Sequence, residues 1–187
     1  MSIREWEGIK IPTAGAFALD VAHTRVGFVV KHMMVSKVRG NFAEFEGKIT
    51  IAENPLESSV EAVLKAGTIH TGVGDRDNHL RSDDFLSAEK FPEITFRNSR
   101  VTEHSGDEFV LVGDLTIRDV TKEVKLKVEF GGAAQNPWGQ EIFGFSAETE
   151  IDREDFGLTY NQALETGGVL VGKKVKIEIE GEAVRQA

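Results

Sequence analysis

The sequence predicts an all-β domain whose antiparallel strands follow one another as a meander and close into an up-and-down barrel. Three observations lead there. Apolar and polar residues alternate with period two along most of the chain, the mark of strands with one wet and one buried face. Turn residues break the runs at short intervals. Very little of the chain reads as helix. Closing the meander removes exposed strand edges, which favours a barrel. A two-sheet sandwich satisfies the same periodicity.

Each run can be taken in order. Residues 17–22 and 24–32 read as strands, then 38–52, which ends at the turn Glu53-Asn54-Pro55. Runs follow at 58–68, 94–102 and 108–118, with Ser105-Gly106-Asp107 joining the last two as a hairpin. Val124, Leu126, Val128 and Phe130 alternate with Lys125, Lys127 and Glu129. The stretch 132–139, with Asn136-Pro137, reads as a loop. Phe143, Phe145, Ala147, Thr149 and Ile151 share one face, and Val175, Ile177 and Ile179 alternate with Lys176, Glu178 and Glu180. Two stretches break the pattern, 71–92 and 154–174. The first can form a short helix over Asp75 to Ser82. Insertions of this length in a β domain are usually functional.

Length and charge narrow the function. A chain of 187 residues fits one domain spanning 1–187, with a core large enough to need no covalent staple. Its net charge of −9 argues against nucleic acid, whose affinity comes from Lys and Arg on phosphates, and against an electrostatic hold on an anionic membrane. The absence of Cys excludes disulfides, thiol nucleophiles and Cys-type metal sites. No apolar run reaches the ~20 residues of a membrane span. The N-terminal segment Met1 to Gly8 has no signal-peptide core, so a cytoplasmic location is expected.

No HExxH and no Gly-x-Ser-x-Gly elbow is present. Gly72-Val-Gly74-Asp-Arg-Asp77 lacks the third glycine of a dinucleotide fingerprint. The run Gly167 to Lys174 approaches a P-loop, but Lys174 stands where Ser or Thr should bind magnesium and a strand pattern follows. It reads as a turn into the last strand. Among the histidines, Asp75 and His79 sit four apart on the possible helix, as metal ligands or as a loop anchor. His32 either contacts a ligand's polar end from a cavity wall or serves the structure.

Phenylalanine is the informative residue, at 12 against 1 Tyr and 2 Trp. Each buried ring removes ~150–250 Å² from water. Phe28, Phe42, Phe45, Phe96, Phe109, Phe130, Phe143 and Phe145 lie on proposed strands. Phe85 and Phe91 flank the first insertion, and Phe156 opens the second. The rings are either a filled core or the wall of a long apolar pocket. An eight-stranded barrel stands at the size where both are possible.

The ordered motifs resemble those of the YceI-like family, the polyisoprenoid-binding, lipocalin-like proteins. They begin with Asp20-Val-Ala-His23-Thr24, Phe28, His32 and Gly40-Asn-Phe42. Thr71, Arg76-Asp77-Asn78-His79-Leu80, Asp84-Phe85 and Phe91-Pro92-Glu93-Ile94-Thr95-Phe96 form the central block. Gly113 to Thr121, then Phe145, Arg153-Glu154-Asp155-Phe156-Gly157 and a last alternating strand complete it. The match runs from about Phe17 to Glu182. Thr24 stands where Ser is common, and Asp119 replaces a frequent Gly.

The resemblance implies an eight-stranded, lipocalin-like barrel that holds a polyisoprenoid, an isoprenoid quinone or a similar lipid, with no catalytic residue set and no cofactor. It also suggests a homodimer. The expected ligand-binding residues are Phe28, His32, Phe42, Arg76, Asp77, His79, Phe85, Phe91, Phe96, Phe143, Phe145 and Phe156. Arg76, Asp77, His79 and His32 are placed at the mouth, on a phosphate or quinone head. The same Arg76-Asp77-His79 group can instead pin the first insertion to the barrel. A different class of function uses His32 or His79 as a haem ligand, or as the base of an isomerase or hydrolase. A filled barrel offering only a partner surface is the third possibility.

Overall fold

A computed structural model describes residues 3–187. Its strands are β1 (Ile3–Trp6), β2 (Ile9–Pro12), β3 (Gly15–Leu19), β4 (Arg25–His32), β5 (Ser36–Phe42), β6 (Phe45–Ile51), β7 (Ser59–Lys65) and β8 (Ile69–His70). After the helix α1 (Gly74–Arg81) come β9 (Glu93–Ser105), β10 (Glu108–Ile117), β11 (Val120–Gln135), β12 (Glu141–Asp152) and β13 (Val171–Arg185).

Several of these are segments of one longer strand. β3 and β4 are separated by a 3-10 turn, Val21–His23, and both pair with β13. β5 and β6 pair with β4 and β3 respectively. β7 and β8, separated by the 3-10 turn Ala66–Thr68, pair with β6 and β5. Counting β3–β4, β5–β6 and β7–β8 as single bent strands, eight antiparallel strands run in sequence order and close through β13, which pairs with β12 on its other side. The barrel predicted from alternation is therefore present, and the sandwich is not. The predicted runs 38–52 and 58–68 are each bent rather than straight.

The Asp20-Val-Ala-His23 motif belongs to the first bend. Asp20 accepts a hydrogen bond from the Ala22 amide at 3.0 Å and lies 2.9 Å from His23 Nδ1. The hydrogen bond between the two side chains lowers the Asp20 pKa and raises that of His23.

Both insertions leave from one end of the barrel, here called the upper end, together with the turns at 33–35 and 118–119. The first carries α1. The second carries only a 3-10 turn, Arg153–Phe156, followed by a loop. Above Lys65, β8 pairs with β5 alone, and β9, whose other edge pairs with β10, meets β7 only as far as Lys65. The first insertion spans that gap in the wall. The region expected to be a loop at 132–139 is shorter than predicted, because β11 stays paired with β12 as far as Gln135.

The lower end holds an element that the alternation did not predict, the β1–β2 hairpin. It turns through Glu7 and Gly8, both at positive φ. Ile11 is buried, and Trp6 lies 4.5 Å from the His104 ring and 6.3 Å from that of Phe109. Arg4 donates to the carbonyls of Pro12, Ala52 and Glu53. Arg185 fastens the segment after β2 by donating to the Thr13 and Ala14 carbonyls, to Thr13 Oγ1 and to the buried Glu141 carboxylate. Its guanidinium also stacks 4.8 Å from the Phe17 ring centre.

Removing one partner of a buried ion pair leaves the other charge unpaired, which costs about 3–5 kcal/mol. Arg185→Ala is therefore expected to lower unfolding free energy by about that much in urea titration. Adding Glu141→Leu to Arg185→Ala is expected to restore part of the loss, because no buried carboxylate is then left alone.

Candidate functional site

The inward side chains do not fill the barrel. They enclose a cavity of about 680 Å³ that extends along it, from Ile11 and Pro12 below to His32, His79 and Tyr160 above. That volume lies within the ~300–1,000 Å³ of small-molecule sites. The wall is almost wholly apolar. Phe28, Phe42, Phe85, Phe96, Phe143 and Phe145 contribute rings, while Val26, Ile49, Leu111, Leu115, Leu126 and Ile177 fill the rows between.

Local backbone geometry makes this room. Phe28 stands directly across from Gly40 on β5. A methyl group at Gly40 would sit 2.4 Å from Phe28 Cζ and 2.9 Å from the His70 carbonyl oxygen. The ring thus lies over the neighbouring strand, in space that only glycine leaves. Phe96 lies in the same way over Gly113.

Polar groups gather at the upper end. The Asp77 carboxylate is buried and accepts hydrogen bonds from the Thr71 amide at 2.8 Å and the Thr71 hydroxyl at 2.5 Å. Burial opposes its charge, but the Thr71 bonds and the nearby His70 and Arg81 outweigh it and hold the pKa below the ordinary aspartate value. Arg76 donates from Nε to Thr71 Oγ1 at 2.7 Å and from Nη2 to the Thr71 carbonyl at 2.9 Å. Its Nη1 makes no hydrogen bond among the described residues.

His79 links the two insertions. Its ring lies 5.1 Å from Phe85 and 4.7 Å from Tyr160, edge to face in both cases, while Nε2 lies 2.8 Å from Asp84 Oδ2. Arg153 enters from the second insertion and is 4 % exposed. Its guanidinium donates to the carbonyls of Leu158, Gly172 and Val171 at 2.6, 2.8 and 3.3 Å. Burial lowers its pKa, against the neighbouring Glu154 and Asp152 charges.

Nine of the twelve residues expected to bind a ligand therefore border the cavity: Phe28, His32, Phe42, Arg76, His79, Phe85, Phe96, Phe143 and Phe145. Three do not. Asp77 faces Thr71, whose amide and hydroxyl it accepts from, and lies 3.5 Å from His70 Nδ1. Phe91 instead lies under Arg118, whose guanidinium is 6.0 Å from its ring centre. Phe156 is folded into the core below its 3-10 turn, which ends at Gly157 with φ of 79°. Arg76 and Asp77 thus both hold Thr71 at the start of the first insertion, while Arg76 and His79 also reach the cavity. Sequence reasoning passed over Tyr160 and Arg153. A single Tyr in a Phe-rich chain and an Arg beside two acids gave no apolar signal.

A closed eight-stranded barrel with an apolar interior and polar groups at one mouth defines a class: barrels built to enclose a small molecule. Within that class the chain belongs to the YceI-like domain family, whose model matches residues 17–183. A UPF0312 protein of Staphylococcus aureus (strain N315) is 41% identical over 168 residues, which cover 89% of this chain and 95% of the relative. The Campylobacter jejuni YCEI protein, known from its crystal structure, is 34% identical, with a TM-score of 0.72 over 90% of this chain and 97% of its own. A polyisoprenoid binding domain from Saccharophagus degradans, implicated in plant cell wall breakdown, shares 12% identity and a TM-score of 0.67 over 93% of this chain and 100% of its own. That last likeness is one of fold.

Hydrogen bonds to a charged group are worth about 1.5–3 kcal/mol, so Asp77→Ala is expected to lose that much stability at neutral pH. A depressed carboxylate pKa gives stability that is complete above the unfolded value near 3.9 and fades as pH falls through the folded one. The gap between wild type and Asp77→Ala should therefore close in acid. Urea titrations across pH, with proteolysis of 71–92 followed in parallel, would show whether it does.

Proposed function

We propose that this protein binds, stores or carries a long apolar molecule of the isoprenoid type within the barrel, rather than performing catalysis. The observation that carries this reading is the cavity itself, apolar along its length and continuous with a polar mouth. Isoprenoid chains are nearly all hydrocarbon, and each buried CH₂ group gains ~0.8 kcal/mol. Ten carbons then gain about 8 kcal/mol, which the ~4–15 kcal/mol cost of association can cancel. Tight binding therefore demands a longer chain. At roughly 30 Å³ per group, a water's share of liquid volume taken as close to a methylene's, the 680 Å³ cavity takes about twenty of them. That is near four isoprene units, and a longer chain would leave through the mouth.

The mouth supports a ligand with an acceptor-rich head, such as a phosphate or a quinone. Lys31, His32, Arg76, His79 and Arg153 all border the upper part of the cavity, and Asp75 is the acid beside them. Arg76 Nη1 and Lys31 Nζ are donors there with no protein partner among the described residues. The Saccharophagus degradans domain that shares this fold is a polyisoprenoid binding domain, which agrees with this reading.

Native mass spectrometry of the purified protein with added prenyl lipids tests the reading directly, and a prenyl mass retained at one per barrel is expected. Ala147 lines the middle of the cavity, so Ala147→Phe should lower prenyl affinity at least tenfold while the melting temperature holds. Unchanged affinity in Ala147→Phe would place binding outside the barrel and sink the reading.

The head-group assignment has its own test. Arg76→Ala should weaken a prenyl phosphate about tenfold, the scale of one charge-assisted bond, and a headless chain of equal length much less. Equal losses for both ligands would leave Arg76 only as the fastener of the insertion.

A further inference from the structure

The tip of the β4–β5 hairpin breaks local rules in three ways at once. First, Met33, Met34 and Val35 are consecutive and exposed, Val35 to 87 %. Second, Met33 and Met34 have φ of 52° and 66°, and the Val35 amide bonds the His32 carbonyl at 3.3 Å. Two positive φ values in such a turn are the pattern of type I′, where Asn-Gly is the favoured pair and bulky side chains are strained. Third, Lys31 stands directly opposite Lys37 across the ladder. Like charges in that position are destabilising. Each feature works against the stability of the hairpin, and all three put the same side chains at its tip. Strain of this kind collects where a surface has another task.

The charge around the tip is as one-sided as its apolarity. The chain carries −9 overall, yet residues 21–43 contain Arg25, Lys31, Lys37 and Arg39 and no acid. Lys31, Lys37 and Arg39 form no ion pair among the described residues. Lys173 and Lys174 lie on the adjoining end of β13, the first paired with Glu154 at 3.5 Å. Glu165 is the acid of the neighbouring loop, where Gly168 meets Met34. The opposite end of the barrel exposes Trp138 as a single ring, with no such basic surround.

From this we propose that the 33–35 tip docks the upper end of the barrel on an anionic lipid surface, with Met33, Met34 and Val35 entering the interface and the basic residues lying over lipid phosphates. Charge complementarity selects this partner. An anionic surface attracts the tip and repels the acids elsewhere, among them the exposed Asp75, Asp83, Asp84 and Glu89 of the first insertion, so it holds the barrel by the tip rather than by the whole upper end. The cavity mouth is at the same end, which sets it against the bilayer. This deepens the proposed carrier function and rests on it for its purpose, but docking and cavity binding are separable.

Two variants test docking without threatening the fold. Met33→Asn with Met34→Gly supplies the residues that the turn prefers, and Lys37→Glu places an opposite charge across from Lys31. Both should keep or raise the melting temperature. The whole chain should sediment with vesicles of phosphatidylcholine mixed with phosphatidylglycerol, and far less with phosphatidylcholine alone. Each basic residue near such a surface is worth about fivefold, so Lys37→Glu should weaken binding more than tenfold. Met33→Asn with Met34→Gly should weaken it at least as much. Prenyl-chain binding in solution should be unchanged in both. Failure of the wild type to bind mixed vesicles, equal binding to both vesicle types, or full binding by the Met33→Asn, Met34→Gly variant would each overturn the proposal. Loss of chain binding with docking intact would instead refute the carrier reading alone.

Discussion

Everything in this molecule depends on closing the sheet through β13. An apolar interior offers no water to backbone amides and carbonyls, so every strand of the wall must find partners on both sides. β13 meets that demand by pairing with β12 along one edge and with β4 and then β3 along the other. The change of partner occurs opposite the 3-10 turn Val21–His23. Thr24 bridges it there, its hydroxyl lying 3.3 Å from both the amide and the carbonyl of Glu182. The closed ladder then frees the inward side chains from a structural task that helices or a second sheet would otherwise share. Their packing need not fill the centre, and it does not.

Much of this was legible in the residues. Val124 to Phe130 and Val175 to Ile179 alternate so cleanly that their strands and inward faces needed no structure, and Phe28 and Phe96 lie where alternation put them. What stayed hidden depends on distance in space. The β1–β2 hairpin is two runs of four residues, too short to show a period, and it is held by Arg4 and Arg185 reaching carbonyls far along the chain. Phe91 and Phe156 share the chemistry of the cavity rings, but their turns aim them elsewhere. Arg153 reads as part of a charged surface run, while three carbonyls allow it to be buried. No pattern of polarity can report on carbonyls.

The polar groups follow one logic. Buried charge is tolerated only where hydrogen bonds meet it. Asp77 has Thr71, Arg153 has its carbonyls, and Glu141 has Arg185. No buried side-chain nitrogen or oxygen among the described residues lacks a partner. The long apolar cavity is therefore compatible with two charged insertions, because their charges are satisfied within the insertions rather than across the interior.

One detail of the wall makes the barrel uneven around its circumference. Between β8 and β9 the ladder stops at Lys65, and the first insertion takes its place. Elsewhere, parting two strands means breaking a row of backbone hydrogen bonds. Along this seam it means releasing the Arg81 bond to the Gly67 carbonyl and the hydrogen bond from the Ala66 amide to the Pro92 carbonyl, together with the packing of His79 on Tyr160 and of Phe85 and Leu86 in the core. The barrel has in effect a buttoned side as well as an open top.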